Sequence, residues 1–167
     1  MIILKQGDIT EEDVAVIVNA ANSGLRGGGG VDGAIHRAAG PAVMEECQKI
    51  GHCATGEAVM TQAGNLKAKK IVHTVGPVWY GGNRHEPELL RSAYRNSFIL
   101  ARNGCFRTIA FPAISTGIYG YPKKEGARIA IKTGIEFERD FEEIRYICFS
   151  AEDLKIYQDI FKKERAT

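Results

Sequence analysis

The 167 residues suit a single domain, 1–167, and a composition of 44% hydrophobic and 25% charged side chains calls for a packed core and excludes disorder. The formal net charge is +2, with acids and bases mixed along the chain, so no basic field marks a dedicated nucleic-acid binder. An anionic small ligand stays open to such a chain, because backbone amides can supply positive potential locally.

Apolar runs alternate with stretches of helical spacing, the order of an α/β layered domain. Ile2–Lys5 reads as a short first strand, and Val14–Val18 as an apolar run suited to a strand covered on both faces. Val31–Ala39 carries Ala34, Ile35, Ala38 and Ala39 at helical spacing. Pro41 opens a second helix with Val43, Met44, Cys47 and Ile50 on one face and a stop at Gly51. Ala58–Met60 and Ile71–Val75 are two further strands. Pro87 opens a helix lined on one side by Leu90, Tyr94, Ser97, Phe98 and Ala101, ending near Gly104. Thr108–Phe111 is the next strand. Pro122 starts a helix that faces Ala127, Ala130, Ile131 and Ile135 inward, and Ile144–Phe149 is the last strand. Ser150, with Asp153 three residues on, makes a capping-box-like start for a final helix bearing Leu154, Tyr157, Ile160 and Phe161. No repeat, linker or low-complexity tract divides the chain.

None of the four cysteines forms a Cys-x-x-Cys pair. Cys47, His52 and Cys53 lie close together but lack the usual zinc spacing, so they read as buried or semi-buried free thiols. The opening apolar stretch is too short for a signal peptide, and no apolar run nears the ~18 residues of a membrane span. A cytoplasmic, reduced setting without a membrane partner is expected.

Two glycine-rich segments each follow a predicted strand: Asn19–Gly33, with Gly27 to Gly30 in succession, and Ile114–Pro122. Glycines let amides approach a phosphate closely, and a helix start just beyond adds favourable partial charge. Two such loops at the C-terminal ends of strands could grip a pyrophosphate from both sides, where ligands sit in open α/β sheets. Gly28, Gly30 and Gly33 satisfy Gly-x-Gly-x-x-Gly, but the polar stretch Asn19–Arg26 separates them from the strand, unlike a dinucleotide fold. The absence of Gly-Lys-Ser or Gly-Lys-Thr excludes a P-loop.

Gly7-Asp8-Ile9-Thr10, Val18-Asn19-Ala20-Ala21-Asn22 and the run Gly27 to Pro41 resemble the macro domain family. His73-Thr74-Val75-Gly76-Pro77 and Phe111 to Pro122 extend the match over nearly the whole chain, in order. Glycines followed by Val31-Asp32-Gly33, with His36 four residues past the aspartate, resemble its MacroD-type subgroup. The resemblance implies a three-layer α/β/α sandwich on a mixed, largely parallel sheet. It also implies binding of ADP-ribose and hydrolysis of O-acetyl-ADP-ribose or of mono-ADP-ribosylated glutamate and aspartate.

By the same resemblance, Asp8 accepts a hydrogen bond from the adenine amino group, Ile9 contributes an amide or apolar contact beside the base, and Phe149 packs on its face. The alternative role of Asp8 is to cap the turn at Thr10–Asp13, and without the resemblance Phe149 would be core. Gly29, Gly30 and Val31 supply amides near the distal ribose and its phosphate. Ser115, Thr116, Gly117, Ile118 and Tyr119 cradle the pyrophosphate, and Tyr119 also walls the distal ribose. Asn22 bonds the distal ribose hydroxyls, with Asn19 in support. Asn19 could equally close a turn at the strand end.

Asp32 falls at a helix start, where the dipole stabilises a carboxylate. It either caps the helix or orients a water. His36, one turn on, could hold Asp32 or that water; alone it would be structural. His73 falls within a predicted strand and reads as a satisfied core histidine. The implied catalytic set is Asp32, Asn22 and His36, with no metal and no cofactor. The partners are ADP-ribose, its esters and mono-ADP-ribosylated proteins. Other readings are a non-catalytic ADP-ribose reader, a phosphatase on ADP-ribose phosphorylated at the distal ribose, and a binder of single-stranded or poly-adenylate RNA. The near-neutral charge argues against the last.

Overall fold

In the computed structural model, which describes residues 1–166, the apolar runs become six strands: β1 (Ile2–Gln6), β2 (Val16–Ala20), β3 (Ala58–Gln62), β4 (Lys70–Thr74), β5 (Thr108–Phe111) and β6 (Glu143–Cys148). They align as β1–β6–β5–β2–β4–β3, with every neighbouring pair parallel except β3 and β4. The five helices are α1 (Gly30–Ala39), α2 (Pro41–Ile50), α3 (Glu86–Asn103), α4 (Lys123–Phe137) and α5 (Ala151–Arg165).

Alternation along the strands divides the core in two. Val16 and Val18 of β2 turn to one face, against Leu90, Tyr94 and Phe98 of α3 and Ala127, Ala130 and Ile131 of α4. Ile17 of β2 and Ile71 of β4 turn to the other, against Ile35 of α1 and Val43 and Cys47 of α2. The result is the expected three-layer α/β/α sandwich. β2 covers Val16–Ala20 rather than Val14–Val18. All five helices start within a residue of their anticipated openings, with Pro41 at the first turn of α2 and Ser150 Oγ accepting from the Asp153 amide, 3.1 Å away, at α5. Ile50, expected on the buried face of α2, is instead 40% exposed. It lies at the helix's last position, beside the left-handed Gly51 cap.

The order of the sheet places the site. β2 and β5 lie side by side and parallel, but the chain leaving β2 enters α1 on one face and the chain leaving β5 enters α4 on the other. The connections part at this point and leave a crevice beyond the strand ends.

Candidate active site

The crevice is a cleft of about 380 Å³. One wall runs from Asn22 through Gly28 to Asp32, the other is built by Ser115 and Gly117 to Tyr119, and Gly76 lines the cleft as well. Gly29 is the N-cap of α1, and no side chain caps the helix. The amides of Gly30, Val31 and Asp32 precede the first intrahelical bond, Gly33 N to Gly29 O at 3.2 Å, so they are donors offered to the cleft. Two glycines are needed by the chain itself. A Cβ on Gly33 would meet Gly28 O at 2.3 Å, and one on Gly76 would meet Ser115 Oγ at 2.1 Å. Gly29 and Gly117 differ, since a Cβ on either would find nothing within 4 Å. Their lack of a side chain keeps cleft volume open for something other than protein.

Asp32 sits in the first turn of α1, lines the cleft and is only 7% exposed. Its Oδ1 accepts from Asn19 Nδ2 at 2.8 Å and lies 3.4 Å from His36 Nε2. Asn22, also in the wall, donates from Nδ2 to Gly27 O at 2.7 Å and accepts at Oδ1 from the Arg26 amide at 3.0 Å. Each end of its amide keeps one further hydrogen-bonding capacity. Opposite, Ser115 holds a left-handed backbone (φ 67°), and its buried Oγ has no partner among the described residues.

The second wall is braced by its neighbour. Trp79 N donates to Tyr119 O at 2.9 Å, from a loop ordered by Glu86, whose carboxylate accepts amides of Tyr80, Gly82 and Arg84 at 2.6–3.0 Å. Burial works against that charge, but these backbone bonds prevail and hold the Glu86 carboxyl down at about 2.

Several anticipated residues are placed differently. Asn19 does not line the cleft. It is fully buried behind Asp32, with its amide nitrogen committed to Asp32 and to His73 Nδ1 at 3.1 Å. The Ile9 side chain is spent in the core under α1, which leaves only its amide for a ligand. Thr116 turns its Cγ2 toward α4, where it would meet a Cβ on Gly126 at 2.7 Å, and it is half-buried. Asp8 Oδ1 caps the 3₁₀ turn Ile9–Glu11, accepting from Thr10 N at 3.0 Å and Thr10 Oγ1 at 2.7 Å. Phe149 is not core: it follows β6 and is 90% exposed, and Ile118 at the tip of the second loop is 99% exposed.

His36, Cys47 and His73 bring one ligating atom each within 4.8 Å of one another, a grouping that the spacing of Cys47, His52 and Cys53 does not suggest. Both His73 nitrogens are already engaged, Nδ1 by Asn19 and Nε2 by Thr61 Oγ1 at 2.9 Å. All four cysteines are free. No helix among the described residues is long and apolar enough to cross a membrane.

The Macro domain family model matches residues 18–130. An O-acetyl-ADP-ribose deacetylase of Salmonella newport is 52% identical over 166 residues, covering 95% of this chain and 93% of the relative. A solved macrodomain of Oceanobacillus iheyensis with ADP superposes with a TM-score of 0.93 at 44% identity, covering 96% of this chain and 90% of that one. A Trypanosoma brucei macrodomain in complex with ADP-ribose gives a TM-score of 0.88 at 40% identity, covering 95% of this chain and 68% of that one.

Proposed function

The chain belongs to the macro domain family, and from that premise we propose that it binds ADP-ribose between its two loops and hydrolyses ADP-ribose esters. The substrates are O-acetyl-ADP-ribose and mono-ADP-ribosyl glutamate or aspartate. Water supplies an oxygen and two protons across the ester linkage, so a carboxylic acid and free ADP-ribose leave.

One observation carries the enzymatic reading. Asp32 is a carboxylate in the cleft wall whose Oδ1 is fixed from behind by Asn19 and flanked by His36. A carboxylate beside a pyrophosphate is repelled by its charge, whereas it can hold and orient a water, so its place in this wall favours the enzymatic role. The uncapped start of α1 and the Ser115–Tyr119 loop supply donors for a pyrophosphate. Asn22 retains capacity for a ribose hydroxyl. Exposed Phe149 offers a face to the adenine, and Asp8, near the end of β1, keeps a second carboxylate oxygen for the adenine amino group. The free cysteines fit a reducing cytoplasm.

Release of ADP-ribose from O-acetyl-ADP-ribose and from a glutamate-modified protein, followed by chromatography, tests the reading. Turnover of both esters is expected. Tight ADP-ribose binding without turnover of either would make the protein a reader.

A further inference from the structure

Asn19 of β2 and His73 of β4 are register partners across the sheet. Asn19 Nδ2 has two protons, and both are assigned by geometry: one to Asp32 Oδ1 at 2.8 Å and one to His73 Nδ1 at 3.1 Å. On the far side of the ring, Nε2 lies 2.9 Å from Thr61 Oγ1. The Thr61 hydroxyl spends its single proton on Gln62 O at 2.9 Å, so toward His73 it can only accept. His73 therefore donates from Nε2 and presents a bare lone pair at Nδ1. That lone pair requires a donor, which fixes the orientation of the Asn19 amide. Turned over, Asn19 would set its oxygen against a carboxylate and a ring lone pair together, leaving both unsatisfied.

We propose that His73, with its tautomer set by Thr61, is a positioning residue for ester hydrolysis: it holds Asn19 as a two-armed donor so that the Asp32 carboxylate keeps one orientation in the cleft. The inference rests on the ester-hydrolase reading above. The surroundings keep the relay uncharged. Burial, and then the neighbouring His36, push the His73 imidazole down to about 3. Cys47 Sγ lies 3.8 Å from Nε2, and burial, then Asp32 and Glu46, push that thiol up to about 11.

Two substitutions of the ring separate positioning from packing. In His73→Asn the carboxamide oxygen can stand where Nδ1 stood, which preserves the acceptor for Asn19. In His73→Gln the amide nitrogen can stand where Nε2 stood, which preserves the donor to Thr61 and drops the acceptor. Glutamine is closer in volume, so packing alone makes it the milder change. Positioning predicts the reverse. With O-acetyl-ADP-ribose, His73→Gln should lose about tenfold or more in kcat at nearly unchanged ADP-ribose Kd, while His73→Asn keeps most of the rate. Equal kcat for the two, or a loss shared with ADP-ribose affinity, overturns the proposal.

Thr61→Val, with Thr61→Ser as its rescue, puts the same question without touching the ring, and wild-type kcat in the valine variant also overturns it. The ¹⁵N spectrum of the wild-type His73 ring reads the tautomer without substrate: protonated Nε2 and bare Nδ1 are expected, and the opposite pattern is fatal. A wild type that turns over no ester removes the hydrolase reading and this role with it. Wild-type turnover with indifferent His73 and Thr61 variants removes the role alone.

Discussion

The two walls of the cleft are held in different ways. The first, between β2 and α1, is tied by side chains: Asn22 bonds Gly27 O and the Arg26 amide, and Asp32 is fixed by Asn19. The second, between β5 and α4, is tied by backbone, through Tyr121 N to Ser115 O at 3.0 Å, Gly120 N to Gly117 O at 3.0 Å and Trp79 N to Tyr119 O at 2.9 Å. Side-chain ties place functional groups, while a backbone-tied loop presents a surface of amides indifferent to most side-chain changes. Both walls thus offer grip through their amides, and the first adds the side chains placed for chemistry.

That division can be broken by experiment. The largest effect is expected from Gly117→Glu. The protein has room for the new Cβ, so the circular dichroism should be unchanged, but a carboxylate in the phosphate cradle should abolish ADP-ribose binding in calorimetry. Slowed turnover with intact binding would show the second wall taking part in the chemistry.

Asp32→Ala should do the opposite, lowering kcat on O-acetyl-ADP-ribose by ~10²-fold or more while ADP-ribose Kd moves by roughly tenfold or less. Wild-type kcat in that variant would leave an enzyme with a different water-orienting group. Away from both loops, Asp8→Ala should weaken ADP-ribose by about 1.5–3 kcal/mol, the scale of a hydrogen bond to a charged group. Unchanged affinity would restrict Asp8 to its capping of Thr10.

The smallest effect concerns the buried layer behind the first wall. An imidazole held down at about 3 takes up no proton while the same ring in the unfolded chain does so below about 6.5. Unfolded chains then bind more protons than folded ones, so this group's contribution to stability falls as pH drops from about 6.5 toward 3. His73→Asn should flatten the urea-denaturation stability profile between about pH 6.5 and 5. An equally steep profile would mean that His73 titrates normally.

Much of this was legible in the sequence. The β2 and β5 runs, the glycines after each and the proline- or serine-marked helix starts follow from local rules that need no partner. Asp32 in the first turn of α1 was visible for the same reason. The layer behind it was not. Asn19 and His73 are 54 residues apart and meet only because β2 and β4 pair in a particular register, which parallel strands joined through two helices and a hairpin strand do not announce. His73 reads from the sequence as a satisfied core histidine, which it is, but nothing in the sequence names Asn19 as its partner, and Asn19 reads as a supporting ligand contact or a turn closure. Phe149, at the end of an apolar strand, reads as core on local pattern alone; only the family resemblance sets it beside the ligand, and its exposure just past Cys148 agrees with that placement.

The position of β6 between β1 and β5 bears on how the protein is made. Ile2 pairs with Ile144, so β1 has no neighbour among the described strands until β6 is synthesised. At about 5–20 residues per second that is a wait of roughly seven to thirty seconds, with an unpaired strand edge exposed to other nascent chains. Such long-range pairing also closes late in folding from denaturant. Substitutions that weaken β6 should therefore show first as lost yield and inclusion bodies, and chaperone supply should rescue them before any defect appears in the protein that survives purification.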